Sequence, residues 1–350
     1  MRPSLRATAI RNLSLLLSHA PRRTAALFLR QHSTSSSSVS SDELTHFASL
    51  ASSWWDPLGP SRILHLMNPL RHEFIKSCLS EGKPEAANTP ENNGNSTQEA
   101  DPRGLRYLDI GCGGGIFAES LARTIPLGFP SSSSTQTNAA SLLAIDPSPV
   151  MIEIALSHAR KDPTLHSHLQ SGVFKYENTS LESLVSSSTS PAEPSATPAP
   201  PHPPKFDVIT LFEVLEHVDP STSSPRQFIE NCLRLLRPGG WLIGSTIART
   251  WPSYIINQVL AEAPWPIGVV PRGTHEWSKF VNVDELRGWA RSVEAGLEAS
   301  GSQTPAATQP KYLDTKWKCV GAVYFPGMGW KLIPGSEKWG NYFWGIQKLK

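Results

Sequence analysis

The stretch Tyr107-Leu108-Asp109-Ile110-Gly111-Cys112-Gly113-Gly114-Gly115-Ile116-Phe117 constrains the chain more than any other. A short apolar run ends on an acid, a glycine-rich turn follows, and Ala118-Glu119-Ser120-Leu121-Ala122 continues as a helix-forming segment. This is the order of first strand, tight turn and first helix in a nucleotide-binding βα unit. Glycine in such a turn lets the backbone take positive φ and come close to a ligand. The helix behind it offers unpaired N–H groups. The spacing also selects among ligands. Pyrophosphate cofactors use G-x-G-x-x-G, whereas here an acid precedes the first glycine by two residues. A carboxylate so close repels phosphate and suits a cationic, hydroxyl-bearing ligand. That favours S-adenosylmethionine, with its ammonium, sulfonium and ribose, over a dinucleotide. Leu142-Leu143-Ala144-Ile145-Asp146 is a second apolar run ending in an acid, placed to offer a carboxylate to ribose hydroxyls.

Strand and helix patterns alternate along the rest of the chain. Strands are predicted at 107–110, 142–145, 173–176, 206–212 and 241–246, with helices at 116–124, 149–160 and 225–236 and a turn at Arg237-Pro238-Gly239-Gly240. This alternation implies a mostly parallel sheet with right-handed crossovers. The aromatic runs Ala322–Phe325 and Tyr342–Ile346 read as a terminal antiparallel hairpin. Near the start, residues 44–51 have helical spacing and lead into Ser53-Trp54-Trp55-Asp56. A second helix is predicted to begin after Asn68-Pro69, since Asn caps and Pro suits a first turn. Polar, low-complexity stretches at 82–103, 130–141, 186–205 and 299–311 read as disordered loops inserted into a single domain over 42–350.

Residues 1–41 hold six arginines, no Asp or Glu, and a serine run from Ser33. An Arg-rich, Ser-rich, acid-free start is the composition of a mitochondrial transit peptide. Those arginines also account for the formal net charge of +2, because the 30 acids outnumber the bases that remain beyond them. Charge therefore gives no argument for nucleic-acid binding. The four cysteines form no C-x-x-C pair, which speaks against a disulfide framework or a zinc site. No apolar run approaches the roughly 18 residues of a bilayer span, so any membrane contact would be peripheral. One segment fits such a contact. Apolar residues at 251, 255, 256, 259 and 260 share a helical face with aromatics at both ends of 251–270. It reads either as a cover helix packed on the sheet or as an interfacial segment dipping into lipid.

The strand at 206–212 runs into Glu213-Val214-Leu215-Glu216-His217. If that segment is helical, Glu213, Glu216 and His217 fall on one face at i, i+3 and i+4. They sit at the carboxyl end of a central strand, where ligands bind in open α/β sheets. Oxygen-rich ligation suits Mg2+, and a cation there would favour ionisation of a phenol. The same residues without a metal would line a pocket or act as base, and the spacing leaves both readings open.

Asp109–Gly115, Glu213–His217, Arg237–Gly240 and Gly273-Thr274-His275 with Lys279-Phe280 follow one another in this order. Ahead of them stand Ser53-Trp54-Trp55-Asp56 and Leu64-His65-Leu66-Met67-Asn68-Pro69-Leu70-Arg71. In this set the chain resembles the ubiquinone-biosynthesis O-methyltransferases over roughly 42–350, the Trp-Trp-Asp and Asn-Pro-Leu-Arg pieces being the most specific. The resemblance implies an α/β, Rossmann-like class I methyltransferase with a mostly parallel seven-stranded sheet, a C-terminal antiparallel hairpin and helices on both faces. It implies methyl transfer from S-adenosylmethionine to ring hydroxyls of polyprenylated dihydroxybenzoate and demethylubiquinol intermediates. Carried over by position, Arg71, Gly111, Asp146 and Phe212 would hold the donor, beside Asp109 and Gly113 of the turn itself. Mg2+ would fall on Glu213, Glu216 and His217. Glu213 and His217 would act in catalysis, with His275 a secondary candidate for substrate contact or base. The resemblance further implies a peripheral protein on the matrix side of the mitochondrial inner membrane, touching it through 251–270, within a multi-subunit ubiquinone-synthesis complex. Two rivals remain at this point: the same fold acting on another phenolic or protein substrate, and a non-catalytic scaffold subunit.

Overall fold

The computed structural model describes residues 37–81, 104–127, 136–189, 205–220, 222–263, 276–299 and 316–348. The described residues belong to one compact unit within Ser35–Lys350, and the expected leader lies outside the described residues up to residue 36. Five strands pair in parallel: β1 (Leu105–Ile110), β2 (Ala139–Asp146), β3 (Phe174–Asn178), β4 (Phe206–Phe212) and β5 (Leu236–Ile247). Three antiparallel strands complete the sheet: β6 (Trp317–Phe325), β7 (Gly329–Ile333) and β8 (Asn341–Gln347). The order across the sheet is β3-β2-β1-β4-β5-β8-β6-β7. Ala322–Phe325 and Tyr342–Ile346 both fall in strands that pair directly, at Gly321↔Tyr342 for instance. Among the described residues the sheet nevertheless has eight strands where seven are expected. The added strand, β7, is a short edge strand, and glycines at 327 and 329 take positive φ in the turn before it.

Alternating side chains of the strands feed two apolar layers, as a sheet covered on both faces requires. Tyr107 packs on one side with α2 (Arg62–Glu81), α3 (Ile116–Ala122), α4 (Pro149–Ala159) and α5 (Pro163–Ser171). Leu108 packs on the other with α6 (Leu181–Thr189), α7 (Pro225–Leu235) and α9 (Val283–Ala299). Pairing of β4 with β5 jumps from Phe206↔Leu236 to Val208↔Trp241, so Arg237–Gly240 loops out where the turn is predicted.

Three boundaries differ from the sequence reading. Helix α2 does not begin after Asn68-Pro69 but runs through it. An interior proline costs about 3 kcal/mol; burial of Met67, Phe74, Ile75 and Cys78 on one side of the helix outweighs it. The stretch 130–141 is not all loop: Thr137 is fully buried, accepts the Tyr107 hydroxyl hydrogen at 2.6 Å, and leads directly into β2. Residues 186–189 close α6, and Ala299 closes α9; of the four low-complexity stretches, 82–103, 130–135, 190–204 and 300–311 lie outside the described residues.

Candidate active site

The carboxyl ends of β1, β2 and β4 meet at one edge of the sheet, and the glycine turn crosses it. Gly111, Gly113 and Gly115 take φ of 69°, 52° and 91°. A Cβ on Gly111 would lie 2.8 Å from Val214 Cγ2, so this position excludes a side chain on two counts. The Gly111 and Cys112 N–H groups donate to Ile145 O and tie the turn to the tip of β2. Gly113 N–H then donates to one oxygen of Asp146 at 2.9 Å and Ser148 N–H to the other at 2.8 Å. Asp109 Oδ1 accepts from the Thr210 hydroxyl of β4 at 2.7 Å. Burial pushes Asp109 up to about 7, although Thr210 and Arg71 oppose it. Burial raises Asp146 as well, against its two main-chain bonds. Two acids held away from water at neighbouring strand tips favour a ligand that carries positive charge.

The Trp-Trp-Asp and Asn-Pro-Leu-Arg segments brace this turn. Trp54 lies over Gly113 and Gly114, and Trp55 Nε1 donates to Gly114 O at 2.9 Å. The Trp55 ring stacks on His158 at 3.5 Å between centroids and 5° between planes. On α2, Asn68 Nδ2 donates to Ile116 O and Asn68 Oδ1 accepts from Arg71 Nη1, both at 3.0 Å. The Arg71 guanidinium stands 5.0 Å from the Phe212 ring centre and 5.8 Å from that of Phe117. Burial lowers Arg71 to about 10, while Glu213 and Asp109 pull it back up. Its Nε is buried with no hydrogen-bond partner, and the side chain lines the cavity. A buried guanidinium with an unused donor suits a carboxylate ligand.

Glu213, Glu216 and His217 all line the same cavity, but not by the helical spacing predicted for them. Glu213 sits at φ 57°, a left-handed conformation that a non-glycine residue seldom adopts, and only Leu215–His217 is helical, as a single 3-10 turn. The kink follows from the end of β4: Glu213 N–H still bonds Ser245 O, and the chain must then turn out of the sheet. Glu213 accepts from the Ser245 hydroxyl at 2.5 Å and from Asn341 Nδ2 at 3.1 Å. Glu216 is buried and accepts from the Thr246 hydroxyl at 2.7 Å. Burial, with Glu213 beside it, pushes its carboxyl up to about 7. His217 Nδ1 lies 3.2 Å from Glu43 Oε2 on α1 (Ser41–Leu50). Burial alone would lower His217, but the Glu43 bond, with Glu216 and Glu213, raises it. The arrangement departs from the expected Mg2+ site. Glu213, Glu216 and His217 are each hydrogen-bonded within the protein, and among the described residues no three such side chains converge to hold a metal. His275 lies outside the described residues.

One cavity of about 560 Å3 joins Asp109, Asp146, Arg71 and Phe212 to Glu213 and His217. Leu44, Phe47 and Leu50 of α1 form one wall, and Ile256 and Leu260 stand at another. The latter belong to the π-helical turns Tyr254–Leu260 that follow the short helix α8 (Trp251–Ser253). The wider helix changes which residues face inward. Ser253 and Asn257 are buried, whereas Trp251, Ile255 and Val259 are 73%, 50% and 49% exposed. This part of 251–270 is thus not packed on the sheet through its apolar residues; 264–270 lies outside the described residues. Glu43, Thr210, Ser245 and Asn341 enter the site without a sequence signal, because each is brought there by register or by a distant helix.

A family model described as a methyltransferase domain matches residues 84–299. The mitochondrial ubiquinone biosynthesis O-methyltransferase of Candida albicans is 33% identical over 89% of this chain and 86% of its own length. The Schizosaccharomyces pombe protein of the same name is 36% identical over 71% of this chain and 70% of its own. The ubiquinone biosynthesis O-methyltransferase of a Methylobacterium species is 33% identical over 81% of this chain and 91% of its own length.

Proposed function

The chain belongs to the ubiquinone biosynthesis O-methyltransferases, S-adenosylmethionine-dependent enzymes, and from this premise we propose which of its residues do the work. The substrates are ring hydroxyls of polyprenylated dihydroxybenzoate and demethylubiquinol intermediates. The carrying observation is the single cavity that unites two buried acids, a buried arginine and the Glu213–His217 cluster.

Bound S-adenosylmethionine supplies an electrophilic methyl group on sulfur. Asp146 receives the ribose hydroxyls, and Gly111 and Gly113 let the main chain approach the donor. Arg71 forks onto the donor's carboxylate, and Asp109 balances its positive charge. Phe212 walls the pocket between Arg71 and Phe117. Glu213, Glu216 and His217 face the acceptor hydroxyl, whose pKa as a free phenol is about 10. His217, raised by its acidic neighbours, takes the hydroxyl proton, while Glu213 orients the ring through the frame that Ser245 and Asn341 give it. Holding donor and acceptor in line contributes most of the acceleration, on the order of 7–11 kcal/mol for well-oriented reactants.

A divalent cation is a second reading, favoured by the pressure that Glu213 exerts on the enclosed Glu216 carboxyl. Glu213, Glu216 and His217 would be its ligands after rearrangement, and no step above depends on it. The reading also places the protein in mitochondria, peripheral to the matrix face of the inner membrane through 251–270, within the multi-subunit assembly that the resemblance implies. It is supported by the mitochondrial relatives and by the exposed apolar face of 251–260. No helix among the described residues is long and apolar enough to cross a membrane.

The test is a methylation assay on a short-tail dihydroxybenzoate, with and without EDTA, for the wild type, His217→Ala and Glu216→Ala. Turnover by the wild type and its loss in His217→Ala supports the assignment; a fully active His217→Ala refutes the base. EDTA-insensitive turnover removes the cation reading, and loss restored by Mg2+ establishes it.

A further inference from the structure

The cavity changes character at Asn341. On one side its Nδ2 donates to Glu213 Oε2 at 3.1 Å, at the acceptor end. On the other, Asn341 pairs with Ala322 of β6 across the antiparallel ladder. Directly opposite residues, and residues two apart on one strand, point to the same side of a sheet. Ala322 and Tyr324 therefore continue the face that Asn341 begins. Trp330 of β7, opposite Tyr324, carries it to the sheet edge, and the two rings stand 5.4 Å apart. Ile63 and Met67 of α2 pack with this row, and Trp330 Nε1 donates to Ile63 O at 3.0 Å, tying β7 to the helix. All six residues line the cavity.

Along α2, Ile63, Met67 and Arg71 recur every four residues, so one helix face passes from charged to apolar towards its start. The row on β6 and β7 makes the same change away from Asn341. Ile63, Met67 and Ala322 are aliphatic, and the indole N–H of Trp330 is already spent on Ile63 O. A charged group brought into this arm would lose its water without gaining a partner. Strand β7 supplies none of the groups proposed to hold the donor or the acceptor hydroxyl; what it brings to the cavity is Trp330. Once the ring hydroxyl is placed at Glu213, what remains of a prenylated acceptor is a branched, unsaturated hydrocarbon chain. Aliphatic and aromatic walls suit such a chain.

We propose that this arm is the subsite for the first isoprene units of the acceptor's tail, which leaves the ring beside Ala322 and runs between the start of α2 and the β6–β7 hairpin. Tyr324 and Trp330 are then specificity residues, selecting prenylated over bare rings. The proposal rests on the reading of the acceptor as a polyprenylated aromatic and deepens it, by giving the tail a path that is separate from the outward face of 251–260.

The experiment compares kcat/KM of the full chain for a dihydroxybenzoate without a tail and for the same ring bearing two isoprene units. Donor affinity by calorimetry reports an intact fold. Wild type should favour the tailed ring at least about tenfold, a small share of what burying two units could contribute. Ala322→Phe fills the arm and Tyr324→Ala removes part of its wall. Each should bring the preference below about threefold, with the untailed ring reacting within about twofold of wild type. Tyr324→Phe keeps the aromatic wall and should keep the preference. Equal kcat/KM for the two rings in the wild type overturns the proposal. A preference that survives in both Ala322→Phe and Tyr324→Ala also overturns it, since the tail then takes another path. Equal losses for both rings overturn it as well, because they mark damage to the acceptor site and not to the path of the tail. If the wild type methylates neither ring, the underlying reading fails instead.

Discussion

The Trp54 ring occupies the space that a side chain on Gly114 would need: a Cβ there would lie 2.4 Å from Trp54 Cδ1 and 2.7 Å from Nε1. The φ of Gly114 is not in the left-handed region, so this glycine is required by crowding and not by backbone conformation. Trp54 is held in turn by the neighbouring Trp55, bonded to Gly114 O and stacked on His158. Gly114→Ala should therefore displace Trp54 and destabilise the protein by about 1–3 kcal/mol, the usual cost of overpacking. It should also weaken donor binding at least tenfold. Thermal melting and calorimetric titration check both, and Gly114→Ala with wild-type affinity would detach Trp54 from the donor turn.

Arg71 is the clearest case of a side chain whose charge and shape are both used. It packs on Phe212, bonds Asn68, and keeps Nε free within the protein. Arg71→Ala should weaken S-adenosylmethionine binding by about 10- to 100-fold, the range for losing a charge-assisted bond of 1.5–3 kcal/mol. Arg71→Lys should not rescue it, because an ammonium neither stacks on Phe212 nor forks onto a carboxylate. A decarboxylated donor analogue should bind wild type and Arg71→Ala alike, which isolates the contact.

Asp109 makes the free protein sensitive to pH. Its carboxyl is raised to about 7 by burial, above the roughly 3.9 of an unfolded chain. The protonated form is thus favoured by folding. The corresponding stability is complete below about pH 4 and is lost as pH rises through 7, amounting to about 4 kcal/mol. The melting temperature of the free wild type should fall between pH 5 and 8, and fall less in Asp109→Asn. Donor binding should carry the opposite slope, since a cation favours the carboxylate: affinity should rise towards pH 8 in the wild type and stay flatter in Asp109→Asn. Calorimetry across that range decides it.

The donor half of this site was legible because it is local. The D-x-G-x-G-G-G run and the acid ending β2 place the groups proposed to hold the donor within one βα unit each, and both acids line the cavity. The acceptor half was legible in identity and not in geometry. Helical spacing was the natural expectation for Glu213–His217, but the tie of Glu213 N–H to Ser245 O forces a left-handed kink that no periodicity announces. Glu43 lies 174 residues from His217, and Asn341 lies 128 residues from Glu213. Such partners are set by how α1 docks and how β8 inserts beside β5, which single-sequence patterns do not encode. Pro69 shows the converse, a strong local stop signal overridden by the apolar face of α2.

The exposed residues of 251–260 separate membrane contact from chemistry. Trp251, Ile255 and Val259 point outward, whereas Ile256 and Leu260 also border the cavity. Burying a large apolar side chain is worth about 1.5–3 kcal/mol, so three of them dipping into lipid would dominate a peripheral attachment. The triple variant Trp251→Ser, Ile255→Ser, Val259→Ser should lose at least 100-fold in affinity for liposomes of mitochondrial inner-membrane composition. Its turnover of a water-soluble short-tail substrate should stay within twofold of wild type, and only long-tail substrate embedded in vesicles should react more slowly. Sedimentation with liposomes, run beside the two assays, checks each part. Unchanged sedimentation would reassign this face to a protein partner, because so much apolar surface at a cavity mouth needs some cover.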